Sequence, residues 1–399
     1  MTFTDVAALC KMGDVRTAYK VRAYPDPEQA RMLARTFGCV RVVWNRTLAD
    51  RQRRYTTDQR STSYRETDAA LTGWKRDPDL AWLSEVSSVP LQQSLRHQHG
   101  AFVAFWGKRA RYPRFKSRNG RQSAHYTRSG FRMKPDGLWL AKMAGPLRVV
   151  WSWPDVDLGS LDPTMVVVSR EPDGRWFVSF AVDIADPAPQ LSTGETVGVD
   201  LGITDFAVLS TGERIPNPRH MARHERGLKR HQRRLARCRP GSNNRAKARL
   251  KVARRHSRVR DARRDFLHKA STDLVRRFDR IGVEDLAVRN MVRNHILARA
   301  ISECGWGEFR AMLEYKAIRA GRQCVIVDRW YPSTKTCSAC GHLLASLSLG
   351  TRHWTCPDCR TRHDRDVNAA KNINTAAGLA AGACGGDVRR AGQPARSPL

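Results

Sequence analysis

Four of the chain's ten cysteines stand as Cys337-Ser-Ala-Cys340 and, after fifteen intervening residues, Cys356-Pro-Asp-Cys359. Two such knuckles at that separation bring four thiolates to one tetrahedral ion, and no other feature restricts the local fold as tightly. The expected module is a structural Zn²⁺ ribbon over residues 331–361, with Gly341 permitting the tight turn after the first knuckle. Disulfides are the competing reading, but nothing suggests export, and cytosolic thiols stay reduced. His342 and His363 stand nearby, yet four cysteines already fill the tetrahedron, so neither is expected to ligate. Cys10, Cys39, Cys238, Cys304, Cys324 and Cys384 show no pairing pattern and read as core or surface residues.

The ribbon is a small part of 399 residues, and the whole is strongly basic: 71 Lys and Arg face 38 Asp and Glu, a net charge of +33. An apolar share of 41% indicates a folded protein rather than a basic tail. Self-repulsion on this scale points to a polyanionic partner. Of the 71 cations 57 are Arg, whose planar fork suits phosphate, so nucleic acid is favoured over a membrane surface. No run approaches about 20 apolar residues, which excludes a membrane span. The start, MTFTDVAALCKMGDV, lacks the apolar stretch of a signal peptide. The expected location is the cytoplasm, associated with the nucleoid, and the chain is bacterial in character.

The charge is unevenly spread. Residues 219–277 hold 22 Lys and Arg against four Asp and Glu, a net of +18 in 59 residues. Val259, Ala262, Phe266, Ala270 and Leu274 keep helical spacing there, so a folded basic helical pair is expected, interrupted at Pro240. Arg230, Arg234, Arg254 and Arg255 are its candidate phosphate contacts, which position nucleic acid without reading sequence.

Three blocks precede and surround this insertion. Residues 17–25 alternate like a strand. Residues 26–108 are helical, with Leu33, Phe37, Val40, Trp44 and Leu48 on one stripe and Leu91, Leu95, Phe102 and Phe105 on another. Residues 109–187 are short apolar runs, with Pro-Asp-Gly turns at 135–137 and 172–174 that signal hairpins. The expected fold is multidomain α+β: the helical block, a β-barrel or β-sandwich over 109–187 with 17–25 as a candidate extra strand, then an α/β domain over 196–330 and 362–379. Within the latter, strands flank Gly202, a short strand covers 280–285, one helix covers 296–320, a buried strand covers 323–328 and a helix covers 367–377. Residues 1–16 are an N-terminal extension and 380–399 a disordered tail. Gln92, Gln93 and Arg96, polar positions on one helix, are candidates for reading base edges. Tyr112, Arg114 and Lys116 interleave aromatic and basic character and are candidates for RNA contact.

Three carboxylates carry the chemistry. Asp200 sits in the apolar run Val197-Gly-Val-Asp-Leu-Gly-Ile, where an ionised group is costly unless paired or metal-bound. Glu284 ends the run Arg280-Ile-Gly-Val-Glu. Asp366 opens a helix, with Ala370 and Ile373 at i+4 and i+7, so it lies on the inward face. Individually each has a plain explanation: turn, strand end or N-cap. Together, in strand, strand, helix order beside a basic body, they suit Mg²⁺-dependent phosphodiester hydrolysis with two ions. Asp205, Asp285 and Asp364 are the neighbours most easily confused with them.

These residues resemble the TnpB (OrfB) proteins of insertion sequences, which are similar in turn to type V CRISPR nucleases. The segments GVDLGITDFAVLSTGE, IGVEDLAV and HDRDVNAAKNI carry the likeness, and AYKVRAYPDPEQARMLARTFGCVRVVWN, YPRFKSR and RWYPSTKTCSACG extend it to roughly residues 18–378. The resemblance implies a RuvC/RNase H-like nuclease domain with Asp200, Glu284 and Asp366 as catalytic triad and the zinc ribbon inserted in it, and it makes the β-barrel a wedge-like domain with the helical recognition block inserted in it. It implies a guide RNA from the element's end, a double-stranded target DNA cut next to a short transposon-associated motif, and a monomer bound to its RNA. Family members begin near the AYK segment, which leaves Met1 and Met12 as alternative starts. A strand-joining transposase and an RNA-guided repressor without cleavage are the alternative readings of the same features.

Overall fold

The computed structural model describes residues 15–152, 161–184, 190–348 and 350–378. The extension up to residue 14, part of the linker at 185–189 and the tail expected at 380–399 lie outside them. The chain forms two compact units, one of residues up to 186 with 235–254, the other of 187–234 with the residues from 255 on.

In the first unit, strand β1 (Val15–Ala23) leads into helix α1 (Pro27–Asp58). Asp26 accepts from the backbone of Glu28 and Gln29 while Gln29 bonds back to Asp26, a capping box with Pro27 at the first helical turn. Helices α2 (Tyr64–Arg76) and α3 (Ser88–Trp106) follow, and their apolar faces meet α1 around Val43, Leu71, Leu83, Leu91 and Leu95. Strands β2 (Gln122–Thr127), β3 (Phe131–Lys134), β4 (Gly137–Leu140), β5 (Val149–Val150), β6 (Met165–Arg170) and β7 (Trp176–Ile184) complete the unit. Their pairing gives an antiparallel sheet of order β2-β6-β7-β1-β5 and the hairpin β3-β4, linked by a bridge between Leu138 and Leu147. Alternate side chains, among them Val166, Val168, Val178 and Phe180, face one core that also takes Leu33 and Phe37 of α1. Among the described residues no ladder joins β2 to β3, so the five-stranded sheet and the hairpin are separate sheets.

The second unit is built on strands β8 (Thr196–Leu201), β9 (Asp205–Leu209), β10 (Arg214–Pro216), β11 (Arg280–Glu284) and β12 (Gln323–Val327) in the order β10-β9-β8-β11-β12. β8, β11 and β12 are parallel, while β9 and β10 run antiparallel. The basic stretch between β10 and β11 forms helices α4 (His220–Arg237) and α5 (Asn243–Arg277), as its helical spacing requires. On α5, Leu267, Leu274 and Val275 join the core and Phe266 meets Phe206 edge to face. Helices α6 (Val288–Met291), α7 (Ala298–Cys304) and α8 (Trp306–Arg319) connect β11 to β12. The single helix expected over 296–320 is therefore two, because Gly305 takes a left-handed conformation, φ 70°, between them. β12 is half-buried rather than buried, being the edge of its sheet. Strands β13 (His353–Thr355) and β14 (Arg362–Asp364) form the ribbon hairpin, which runs directly into helix α9 (Arg365–Ala376).

Two glycines decide how closely α9 lies on the sheet. Gly198 and Gly282 face each other across β8 and β11. A Cβ on Gly198 would stand 2.0 Å from the Ala370 carbonyl oxygen and 2.5 Å from the Asn374 nitrogen, whereas one on Gly282 would meet the Ala377 Cβ at 3.0 Å. Gly198→Ala is expected to cost about 3 kcal/mol or more, since helix backbone must move; Gly282→Ala should cost less. Gly307 in α8 has no atom within 4 Å of that position, so its Ala variant should gain about 0.5–1 kcal/mol. Calorimetric melting of the three variants tests this ranking.

Candidate active site

Asp200 is the penultimate residue of β8 and Glu284 the last of β11. The parallel register ends with Val199 opposite Val283, so the carboxylates follow one step later on neighbouring strands. That places them side by side at the carboxyl end of the sheet, about 5 Å apart at the backbone, where open α/β sheets put their sites. Asp366 comes from above. Its helix is pressed on Gly198 through Ala370, one turn beyond Asp366, so the same close approach brings its carboxylate to the strand ends.

Electrostatics report the convergence. Burial, then the charges of Asp366 and Glu284, push the Asp200 carboxyl up to about 7, with Arg365 opposing. Burial, followed by the neighbouring Asp285, raises Glu284 as well. Neither Asp200 nor Glu284 has a salt bridge among the described residues, and Asp366 has only long ones, 3.5 Å to Arg352 and 3.9 Å to Arg214.

The three confusable acids are the paired ones. Asp285 is bonded by Arg329 and by Arg310, which hold it below the usual carboxylate range. Arg214 spans Asp205 at 2.7 Å and Asp364 at 2.8 Å, tying β9 to the start of α9. Asp364 is the N-cap of α9 and accepts from the backbone of Asp366 and Val367. Asp366 is thereby released from the capping role, and its charge acts on Asp200. Sequence reasoning did not find Arg214, because 150 residues separate it from Asp364.

The four cysteines meet as their spacing requires. Their sulfurs lie within 4.8 Å of one another, with Cys337–Cys359 at 3.6 Å and Cys340–Cys356 at 3.7 Å. A tetrahedron with arms of about 2.3 Å has edges of about 3.8 Å, so the set fits Zn²⁺. Gly341 makes the turn at φ 80°. His363 is no fifth ligand: its Nε2 stands 3.0 Å from Cys337 Sγ and its ring lies against Trp354, an outer partner of the thiolate. Asn368 and Asn372, both buried on α9, clamp the first knuckle. Asn372 donates to the carbonyls of Ser333 and Thr336 at 2.7 and 2.6 Å; Asn368 donates to Thr336 and accepts from the Ser338 N–H. Two buried asparagines at i and i+4 were the available signal in the sequence.

The candidate nucleic-acid residues fare unequally. Arg230, Arg234 and Arg254 are exposed, while Arg255 is half-buried against Gly227. All four acids of the stretch, Glu225, Asp261, Asp265 and Asp273, lie in ion pairs, and Glu308 and Glu213 from outside it pair with Arg263, Arg264 and Arg277, which still leaves cations in excess there. Gln93 is buried against the helical core and cannot read bases; Gln92 is half-buried and Arg96 is exposed beside Tyr64. Tyr112 packs edge-on to Phe102 and Phe105, leaving it only partly free to stack. Lys116 lies over the Trp44 ring and Arg114 offers its carbonyl to the Trp44 N–H, so this segment is fastened to α1.

Profiles of known families match three stretches: OrfB_IS605, described as "Probable transposase", over residues 179–295; a "Cas12f1-like, TNB domain" over 306–373; and an OrfB_IS605 "Helix-turn-helix domain" over 12–60. A Streptomyces pristinaespiralis protein named "Putative RNA-guided DNA endonuclease" is 53% identical across 95% of this chain and 93% of its own. The chain belongs to the TnpB (OrfB) family. An Escherichia coli K12 TnpB-family relative, "Putative RNA-guided DNA endonuclease InsQ", is 31% identical over 94% of this chain and 96% of its own. In fold, this TnpB-family chain is similar to the protein in a Cas12f1–sgRNA–target DNA complex, with a TM-score of 0.54 at 11% identity, covering 90% of this chain and 98% of that one. No helix of this family member is long and apolar enough to cross a membrane among the described residues.

The raised Asp200 carboxyl has a measurable consequence. The unfolded chain ionises it near 3.8 and the metal-free fold only near 7, so its contribution to stability is present at low pH and lost as pH rises through 7. A divalent cation held there favours the ionised form and expels the proton. The rise in melting temperature produced by fixed Mg²⁺ should therefore grow between about pH 6 and pH 8, and Asp200→Asn should flatten it.

Proposed function

We propose that this chain is a transposon-associated, RNA-guided DNA endonuclease that hydrolyses target phosphodiesters with Asp200, Glu284 and Asp366. One observation carries the reading: these three carboxylates come together from β8, β11 and α9, and among the described residues Asp200 and Glu284 are left without salt bridges while each adjacent acid is paired. The strand order and directions of the second unit support a RuvC/RNase H-like nuclease domain, with 219–277 as its basic insertion and 331–361 as its zinc ribbon. The helices over 26–108 serve as recognition block, and the strands of 17–25 and 109–187 as the wedge-like domain.

The acidic set fits Mg²⁺: hard oxygen donors, forced together at a cost that a cation relieves. Bound there, the metal would activate water and offset charge on the leaving oxygen. The chain's own part is positional. Gly198 lets α9 descend, Asp364 caps it, and Arg214 fixes that cap to β9. Phosphate neutralisation by α4 and α5 makes nucleic-acid binding steeply salt-dependent. These cations supply affinity, and guide pairing supplies sequence choice, so the partners are a guide RNA from the element's end and double-stranded DNA, bound by a protein–RNA monomer.

The test is to purify the chain with RNA co-expressed from its element, sequence that RNA and supply a matched target beside candidate flanking motifs. A discrete RNA and cleavage that needs both it and Mg²⁺ are the expected results. Absence of any enriched transcript would remove the guided reading, and strand-joining products formed without RNA would replace it.

A further inference from the structure

The loop leaving β12 carries the most exposed aromatic side chain among the described residues: Trp330, with 84% of its surface in water. Single exposed apolar residues are common and need no explanation, so position has to decide. The position here is specific. Val327, the last residue of β12, is in register with Glu284, and its carbonyl accepts from the Asp285 N–H. The chain then turns: the Trp330 N–H bonds to Asp328 Oδ1 and the Tyr331 N–H to the Asp328 carbonyl. Arg329, inside that turn, is bonded to Asp285, the neighbour of Glu284. Three residues beyond Trp330, the Ser333 carbonyl is held by Asn372 on the helix of Asp366. The loop is thus fastened at one end to the element of Glu284 and at the other to that of Asp366. Between the two anchors the indole is left bare.

An exposed indole on a loop anchored beside a nuclease site, within a strongly basic chain, presents a π face to whatever strand reaches that site. Stacking needs a base whose own face is open, and a paired base inside a duplex has none to offer. We propose that Trp330 is a stacking platform for an unpaired base of the DNA strand delivered to the acidic site, a reading that rests on the nuclease assignment above. The platform orders the strand next to the carboxylates without choosing its sequence, because every base has a π face. It also favours a strand already opened by guide pairing over intact duplex.

The experiment uses the full chain with its co-purified RNA. Stacking is worth about 1–3 kcal/mol per base, so Trp330→Ala should lower cleavage at sub-saturating target by about 5- to 150-fold. Trp330→Phe, which keeps a π face, should recover most of it, and melting temperature and bound RNA should match wild type for both. A target carrying 2-aminopurine at positions near the cut reads stacking directly. Its fluorescence should be quenched by Asp200→Ala protein, which does not cleave, and released when Trp330→Ala is added to that background. Wild-type cleavage and quenching in the Trp330→Ala protein would overturn the platform, as would loss of guide RNA from that variant. If instead wild type fails to cut while the quench persists, the nuclease reading falls and the platform stands.

Discussion

Asp200→Asn should reduce cleavage of a guided target by at least about 10³-fold while leaving guide RNA and target binding intact. A metal's electrostatic contribution at a phosphoryl centre is several kcal/mol, and about 4 kcal/mol corresponds to that factor. Asn keeps the shape and loses the charge that would hold the ion. The same change should stabilise the metal-free protein. Burial and the charges of Asp366 and Glu284 make ionisation of Asp200 unfavourable, with the carboxyl pushed up to about 7. At pH 8 the wild type carries that cost and the Asn variant does not, so the variant should melt higher; at pH 5, where the folded wild type is protonated, the gap should narrow. A variant both dead and more stable distinguishes a site that trades stability for chemistry from a residue needed only for packing. Equal cleavage by Asp200→Asn, or equal melting at pH 8, would refute the assignment.

Much of this site is legible in the sequence because its signals are local. A carboxylate inside an apolar run can be singled out without knowing the fold, and Cys-x-x-Cys spacing fixes four ligands through chain geometry alone. Asp366 is harder, since Asp364 and Asp366 both precede the same helix and each suits a cap. The backbone bonds that Asp364 accepts as N-cap and the Arg214 bridge to Asp205 and Asp364 separate their roles, and that bridge joins strands and helix from distant parts of the chain. Element boundaries fail for related reasons. Gly305 breaks one expected helix into two through its left-handed turn, at a place where a Cβ would meet Leu267 at 3.3 Å and Arg263 at 3.4 Å, contacts from another helix that local sequence does not show. The nucleic-acid candidates were chosen by residue type, and type says nothing of facing. Gln93 and Gln92 are adjacent, yet one turns into the helical core and the other toward the surface.

Removal of zinc should cost the chain both a fold and a reaction. Few apolar side chains support the ribbon: Cys337, Trp354 and Cys356 are its buried cluster, with Leu344 and Leu347 partly covering them. So small a core cannot repay the entropy of ordering the loop, whereas a four-thiolate zinc site contributes about 10–16 kcal/mol of binding energy to folding. Cys356→Ser should therefore lose most of its zinc and unfold the ribbon, leaving the two five-stranded sheets to melt cooperatively. Cleavage should fall with it, because the ribbon supplies the carbonyls that Asn368 and Asn372 grip and the Arg352 contact to Asp366. Asn372→Ala separates the two effects. It keeps every cysteine, so zinc content measured by elemental analysis should stay at wild-type level, while loss of its two buried bonds leaves Asn368 alone to tie α9 to the knuckle and cleavage drops by about tenfold or more. If Cys356→Ser loses zinc and cuts normally, the ribbon does not position Asp366; if Asn372→Ala cuts normally while Cys356→Ser does not, the coupling runs through Asn368 and Arg352 rather than through Asn372.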